Sequence, residues 1–117
     1  MSDSIKELTE NAVEFRDERN WKQFHTPKDL AISISLEASE LLEVFQWSGS
    51  DTGVDSDKKL KGVREELADI LIYSLLMAHD LDLDISGIVK DKIALNRKKY
   101  PADQAYGRAD KYTAYQD

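Results

Sequence analysis

No cysteine occurs in the sequence, which excludes a disulfide framework and a thiolate metal site. No apolar run approaches the length of a membrane span, and residues 1–4 begin no leader with a basic region and an apolar stretch. No segment alternates for long between apolar and polar residues, as a half-buried strand would, and no internal repeat is present. We therefore expect a soluble cytoplasmic protein of the all-α class, without a membrane partner.

Positive charge is also scarce. The chain has 16 Lys and Arg against 23 Asp and Glu, giving a formal net charge of −7. Binding to a nucleic-acid polymer requires clusters of basic residues, so such a partner is not expected. From Lys90 onward, however, seven basic residues accompany four acidic ones. An acidic body with a basic C-terminal part could hold cations in one place and phosphates in another.

Helix signals divide the chain into four main helices and a tail. The length of 117 residues fits a single domain over residues 1–117, helical to about residue 100, with an irregular, partly ordered tail over 101–117. A loop is predicted over residues 48–57 because turn formers dominate it. The first predicted helix runs from the capping box at Ser4 to about Asn20, and the second from the Thr26-Pro27 start to about Trp47. The third runs from about Lys58 to His79 or Leu81. The fourth runs from a cap at Asp84 or Ser86 to Lys99.

Two pairs of acidic residues occur on the two most apolar helices. They have the patterns E-x-x-E, at Glu37 and Glu40, and E-x-x-D, at Glu66 and Asp69. Around the second predicted helix, Glu37 is flanked by apolar side chains, whereas Glu43 projects toward the wet face. The apolar arc beside Glu37 consists of Ala31, Ile34, Ala38, Leu41, Leu42 and Phe45. The third helix is apolar around almost its whole circumference, which predicts burial on most sides.

Carboxylates in such surroundings require a partner. Burial of an isolated carboxylate is unfavourable unless it is neutralised, paired or bound to a cation, and several carboxylates together also repel one another. A ligand set of oxygens alone favours Mg²⁺ or Mn²⁺ over zinc or copper. The alternative is that each pair simply lies on a solvated helix face. A di-iron site would need Glu-x-x-His pairs, and neither His25 nor His79 follows a glutamate at that spacing.

The acidic pairs and their flanking motifs, in this order, resemble the MazG-like nucleoside triphosphate pyrophosphohydrolases, and most closely their small dCTP pyrophosphatase branch. The motifs are W-x-x-F-H at 21–25, F-Q-W at 45–47, E-E-L-A-D-I-L-I-Y at 65–73 and N-R-x-x-Y-P at 96–101. The resemblance implies a bundle of four to five helices completed by oligomerisation, as a homodimer or homotetramer. It also implies Mg²⁺-dependent hydrolysis of a nucleoside triphosphate between the α and β phosphates, which releases the monophosphate and pyrophosphate.

Site residues follow from the same resemblance. Metal ligation is implied for Glu37, Glu40, Glu66 and Asp69, with Mg²⁺ the expected ion and Mn²⁺ possible. Glu37 or Glu40 would be the catalytic base that takes a proton from the attacking water. Substrate contacts are implied for Trp21, Trp47, Tyr73, Lys92, Asn96, Tyr100 and Lys111. In the dCTP branch a histidine stands about where Ala12 lies here, so any base contact that it makes is missing.

Other roles remain open for several of these residues. Trp21 and Trp47 could stack on a base or belong to the core, and His25 is expected to cap or pack rather than catalyse. Three functions also remain: a pool-sanitising enzyme for dCTP-like or modified deoxynucleotides, a pyrophosphohydrolase of another nucleotide, and a non-catalytic helical oligomer that binds a cation or a partner protein.

Overall fold

The computed structural model describes residues 4–47, 49–50 and 52–115, and within these ranges the regular elements are all helical. The all-α prediction is therefore confirmed. In chain order the elements are α1 (Ile5–Glu18), a 3₁₀ helix (Lys22–Phe24), α2 (Pro27–Glu43), α3 (Asp57–Asp80), α4 (Ile85–Lys99), α5 (Ala102–Ala105) and a second 3₁₀ helix (Tyr112–Tyr115). No helix of the described part is both long enough and apolar enough to cross a membrane.

The chain divides into two compact units, one up to Leu83 and one from Asp84. In the first unit, α3 packs against both α1 and α2. In the second, α4 contacts the 3₁₀ helix Tyr112–Tyr115. The sequence predicts an irregular tail, and that prediction is wrong for the segments that form α5 and this 3₁₀ helix. A single domain over the whole chain stays a prediction.

The first two helices begin at the predicted caps. The Ser4 hydroxyl accepts a hydrogen bond from the backbone N–H of Glu7 at 3.2 Å. The Thr26 hydroxyl accepts one from the N–H of Asp29 at 3.1 Å, and Pro27 follows at the first position of α2. Each hydroxyl satisfies an N–H group that has no partner within its helix. These starts are local, and the sequence predicts both.

The end of α2 differs from the prediction. The sequence predicts a helix to about Trp47, but α2 ends at Glu43. The next three N–H groups donate to carbonyls three residues back, at 3.0 to 3.2 Å, so the chain tightens into turns. Val44 lies against Gly62 of α3, where an added Cβ would come within 3.0 Å of Val44 Cγ2. The close contact between this turn and α3 therefore depends on a glycine inside a helix.

The core of the first unit is small. Ala12 of α1, Leu30 of α2 and Leu76 of α3 are buried together, and Tyr73 packs against them. The buried residue of α2 is Leu30, which lies at the edge of the predicted apolar arc, between Glu37 and Leu41 around the helix. The interpretation of that arc as a buried face is wrong for Leu42, which is 70% exposed. Burial on most sides of α3 is likewise wrong for this chain by itself, because several of its apolar residues are exposed.

A buried ion pair joins α1 to the last turn of α3. The guanidinium of Arg16 donates two hydrogen bonds to the Asp80 carboxylate, each 2.7 Å long, and Arg16 is only 1% exposed. The hydrogen bond to Asp80 raises the pKa of Arg16 even though burial opposes it. The same hydrogen bond lowers the pKa of Asp80. Two parallel bonds fix the orientation of both side chains as well as their distance.

Candidate metal and nucleotide site

Three of the predicted metal ligands converge where α2 packs on α3. Glu37 and Glu40 lie one turn apart on α2, and Glu66 lies on α3. Each contributes a carboxylate oxygen, and the three oxygens all lie within 4.8 Å of one another. Residues three apart on a helix face the same side, so contact between the two helices is enough to bring these carboxylates together.

Two oxygens of this carboxylate cluster (Glu37, Glu40 and Glu66) lack a partner. Glu37 and Glu66 are half-buried, and one oxygen of each is shielded from solvent without a hydrogen bond within the described part of the chain. No described lysine or arginine forms an ion pair with the three carboxylates. Shielded acceptors without donors are unfavourable, and a cation would satisfy them. The cluster can therefore hold a metal ion.

Glu37 and Glu66 of the carboxylate cluster bind a proton more tightly than ordinary glutamates do. The pKa of Glu37 rises from its ordinary 4.5 to about 8, first because a protonated Glu37 would donate a hydrogen bond to Glu40, and then because of burial and Glu66. For Glu66, hydrogen bonding with Glu37 lowers the pKa, but Glu40, burial and the charge of Asp69 outweigh it, so the pKa is raised. The unmetallated cluster binds a proton where a divalent cation would otherwise offset the negative charge.

Asp69 lies near this cluster but is not part of the group of close oxygens. It is half-buried on α3, one turn after Glu66, and its negative charge contributes to the raised pKa of Glu37. Glu43, at the end of α2, is exposed, as its predicted position on the wet face requires. Glu40 is exposed too, so exposure alone does not separate the ligand candidates from Glu43; their convergence does.

A cavity of about 530 Å³ lies next to the cluster, within the first unit. Asp69 and Tyr73 both line it. The charge of Asp69 helps to raise the pKa of Glu37, and the charges of Glu37 and Glu40 help to raise the pKa of Tyr73. Phe15 and Trp21 form another part of the wall, with ring centroids 5.8 Å apart and planes at 77°. The cavity has the size of a small-molecule site and offers aromatic surface to a flat ring.

Tyr73 connects the cavity with the carboxylates. Burial raises the pKa of its hydroxyl, and the charges of Glu37, Asp69 and Glu40 raise it further, while hydrogen bonding with Ser33 opposes the rise. On its other side, the Tyr73 ring meets His25 edge to face, with centroids 6.3 Å apart. The phenol therefore stays protonated and can donate a hydrogen bond to a ligand beside the carboxylates.

The remaining predicted contacts lie elsewhere. Trp21 lines the cavity, but Trp47 does not; it lies in the turns after α2 and is 89% exposed. The second unit carries the other predicted contacts, for which proximity to the carboxylates stays a prediction: Lys92 and Asn96 are exposed on α4, Tyr100 ends that helix, and Lys111 precedes the 3₁₀ helix Tyr112–Tyr115.

Sequence reasoning missed most of the cavity wall. His25 packs against Tyr73 as expected, but it also lines the cavity. On α1, the wall is formed by Leu8, Asn11, Ala12 and Phe15. Their spacing of three, four and seven residues is that of one helix face. This spacing could have been recognised in the sequence as one face of a helix. The polar Asn11 interrupts the otherwise apolar residues of that face.

Comparisons with known proteins show which family the chain resembles. The model of the MazG-like family matches residues 32–114. Over 113 residues, the chain is 35% identical to dCTP pyrophosphatase 1 of Rattus norvegicus and 34% identical to that of Homo sapiens, covering 94% of this chain and 66% of each relative. It therefore spans just under two thirds of the length of these curated relatives.

A solved structure is also similar. The crystal structure of a pyrophosphatase from Archaeoglobus fulgidus superposes with a TM-score of 0.70 at 40% sequence identity. The match covers 86% of this chain and 95% of the archaeal one. The helical arrangement described above is therefore shared with a protein of similar length.

Proposed function

The chain belongs to the MazG-like family, and we propose that it hydrolyses nucleoside triphosphates between the α and β phosphates, releasing a monophosphate and pyrophosphate. The observation that carries this proposal is the carboxylate cluster of Glu37, Glu40 and Glu66 beside an aromatic-walled cavity. The cluster suits cation-bound phosphates and the cavity suits a base. The two together match the two ends of a nucleotide.

The carboxylates would hold Mg²⁺. Glu37, Glu40 and Glu66 are the ligands with converging oxygens, and Asp69 is the nearby fourth candidate. Oxygen-only ligands and shielded acceptors without partners fit a hard divalent cation. When bound, such an ion would offset the charge of the triphosphate oxygens. Glu37 or Glu40 would accept the proton of the attacking water, because a carboxylate at the cluster lies within reach of that water.

The cavity would hold the base. Trp21 and Phe15 offer aromatic faces and edges, and a base stacked on such a ring gains about 1–3 kcal/mol. Tyr73, which lines the cavity and responds electrostatically to the carboxylates, would lie beside the sugar. Ring packing of the phenol against a deoxyribose would favour deoxynucleotides over ribonucleotides.

The substrate class follows from the named relatives. The curated relatives are dCTP pyrophosphatases, and we propose dCTP or a modified deoxynucleotide as the substrate, with sanitation of the nucleotide pool as the purpose. Lys92 and Lys111 would supply positive charge to the phosphates, while Asn96, Tyr100 and Trp47 would complete the base and phosphate contacts in the assembled protein.

Assembly into a homodimer or homotetramer is part of the proposal. Large apolar residues of α2 and α3 are exposed in the single chain: Ile32, Leu36, Leu42, Leu67 and Leu71. Exposed apolar surface on this scale is typical of a face that another protein surface covers. A second copy of the chain would cover it and could bring Trp47 of one subunit to the site of the other.

The decisive experiment is a screen of common and damaged nucleoside triphosphates with Mg²⁺, followed by identification of both products. Pyrophosphate and the monophosphate are the expected products. Release of orthophosphate would place cleavage at the wrong bond. If no triphosphate is hydrolysed and Glu40→Gln changes nothing, the non-catalytic alternative replaces this proposal.

A further inference from the structure

The cavity wall contributed by α1 has one polar member. Leu8, Asn11, Ala12 and Phe15 lie on one helix face and all line the cavity. On a helix that packs through an apolar stripe, such a position would ordinarily carry an apolar side chain. Asn11 is therefore not explained by packing against α3.

The Asn11 amide is also unused within the described part of the chain. None of the hydrogen bonds and ion pairs there involves this side chain, and the residue is exposed rather than enclosed. An amide offers two N–H donors and a carbonyl with two lone pairs. A neutral group that both donates and accepts, on the wall of a largely apolar cavity, is suited to the edge of an uncharged ring.

The other polar groups of this wall have different surroundings. The charge of Asp69 contributes to the raised pKa of Glu37, and burial together with the charges of Glu37, Asp69 and Glu40 raises the pKa of the Tyr73 hydroxyl. His25 packs edge to face on Tyr73, and its Nδ1 is shielded from solvent without a partner in the described residues. Trp21 is also exposed on this wall, but its indole N–H can only donate. Among the described residues of the wall, the Asn11 amide is therefore the exposed neutral group that can both donate and accept.

We propose that Asn11 determines base specificity by pairing its amide with an amino group and the neighbouring ring nitrogen of the base. This inference rests on the proposed function, because the base enters the cavity only if the phosphates occupy the carboxylate end. A base whose edge places a donor beside an acceptor, as cytosine does, complements both halves of the amide. Its phosphates would then lie toward Asp69, which lines the same cavity.

The test combines a protein change with a matched substrate change. The variant Asn11→Leu keeps a side chain of similar length and removes both polar groups. The substrates are dCTP and its analogue in which hydrogen replaces the 4-amino group. Gln104→Leu, an amide-to-leucine change at an exposed residue of α5 that does not line the cavity, is the control.

The expected result is a change in discrimination rather than a general loss. The wild type should prefer dCTP to the analogue by about tenfold in kcat/KM, the value of one neutral hydrogen bond near the upper end of its usual range. Asn11→Leu removes both hydrogen bonds to dCTP but only the ring-nitrogen bond to the analogue. It should therefore lower kcat/KM by about 100-fold for dCTP and by about tenfold for the analogue, and bring the preference close to one. Gln104→Leu should retain the wild-type preference.

Several outcomes would overturn the inference. An undiminished preference in Asn11→Leu, an equal loss on both substrates, or a wild type that does not discriminate would each exclude base reading by this residue. If Asn11→Leu does not fold, Asn11→Ala provides the same comparison, because it also removes both polar groups. A wild type that hydrolyses no triphosphate refutes the proposed function instead. Calorimetric binding of dCTP and the analogue to wild type and variant then decides the role of Asn11 by the same ratio.

Discussion

Glu37 and Glu43 lie on the same helix but have different surroundings. Glu37 belongs to the carboxylate cluster and is half-buried, whereas Glu43 is exposed at the helix end. We expect Glu37→Gln to lower the rate of pyrophosphate release by at least about 100-fold, because it would remove a proposed metal ligand and its charge from the place proposed for the reacting phosphates. Asp69→Asn should have a similar effect. The measurement is Mg²⁺-dependent turnover at saturating dCTP.

Glu43→Gln is the matched control for this prediction. It makes the same chemical change on the same helix, and its turnover should stay within about twofold of the wild type, as is usual for surface substitutions. A Glu43→Gln variant as inactive as Glu37→Gln would mean that loss of any negative charge on α2 abolishes turnover, and the proposed assignment of metal ligands would be wrong.

The raised pKa of Glu37 predicts a pH dependence of stability. Its pKa is about 8 in the folded chain, against an ordinary value of 4.5. Between these values the folded state retains a proton that the unfolded state has lost, so this group destabilises the fold progressively as the pH rises through that window. Without metal, the melting temperature should fall from pH 5 to pH 9 by more in the wild type than in Glu37→Gln.

Added Mg²⁺ should reverse this loss. A bound cation replaces the proton on the cluster, so it should raise the melting temperature more at pH 8 than at pH 5. Glu37→Gln should show little of this gain. Equal stabilisation of wild type and variant by Mg²⁺ at both pH values would indicate that the ion binds elsewhere.

Some features of the candidate site could be predicted from the sequence alone, and others could not. The position of Glu37 and Glu40 on one side of α2 could be predicted, because acidic residues three apart on a helix lie close together; their convergence with Glu66 was implied by the family resemblance. The greater separation of Asp69 from this group could not be predicted, because it depends on the register between α2 and α3. The spacing of Leu8, Asn11, Ala12 and Phe15 places them on one face of α1, but the sequence alone does not show that this face lines a cavity.

A buried ion pair strengthens the packing of α1 on α3. Arg16 is 1% exposed and donates two hydrogen bonds to Asp80. Replacing Asp80 with asparagine leaves the guanidinium charge buried without its counter-charge, and we expect a loss of about 3–5 kcal/mol in the free energy of unfolding. Guanidinium chloride denaturation followed by circular dichroism measures it. Since α1 forms one wall of the cavity, dCTP affinity should fall as well.

A double variant separates charge from packing in this prediction. Arg16→Met combined with Asp80→Leu removes both charges and keeps apolar volume, so most of the lost stability should return. If the double variant is as unstable as Asp80→Asn, the instability comes from loss of the two hydrogen bonds rather than from an unpaired buried charge. The lowered pKa of Asp80 further predicts that the stabilisation is present at neutral pH and is lost as the pH falls through that pKa.

Helix starts and helix ends were not equally predictable. The starts at Ser4 and Thr26 depend on hydroxyl groups that bond three residues ahead, which the sequence displays directly. The end of α2 at Glu43 accompanies the contact between Val44 and Gly62. That contact joins residues far apart in sequence, and the local pattern through Trp47 remains helical in character. Interactions between elements, rather than propensity, decided the boundary.

The first unit buries few large apolar residues for its length. Leu30, Leu75 and Leu76 are buried, whereas Leu36 and Leu42 on α2 are 59% and 70% exposed. The all-α class could be predicted from helical periodicity alone. Which apolar face is buried within the chain could not, because periodicity identifies an apolar stripe without saying whether the same chain or another one covers it.

The exposed apolar residues of α2, Ile32, Leu36 and Leu42, predict that the chain self-associates. By light scattering, the wild type should have two or four times the single-chain mass of 13.3 kDa. Leu36→Lys should shift it to the single-chain mass, because a lysine charge would be desolvated in an apolar interface. Val54→Lys, a similar change at a partly exposed residue of the loop before α3, should not.

Measuring activity and molecular mass on the same samples shows whether the site requires a second copy of the chain. Trp47 is 89% exposed and does not line the cavity of its own chain. If a neighbouring subunit supplies this ring, the dissociated Leu36→Lys protein should lose most of its affinity for dCTP while keeping its helical circular dichroism. A wild type that is fully active at 13.3 kDa would mean that one chain suffices, and the exposed leucines of α2 would then have no part in the reaction.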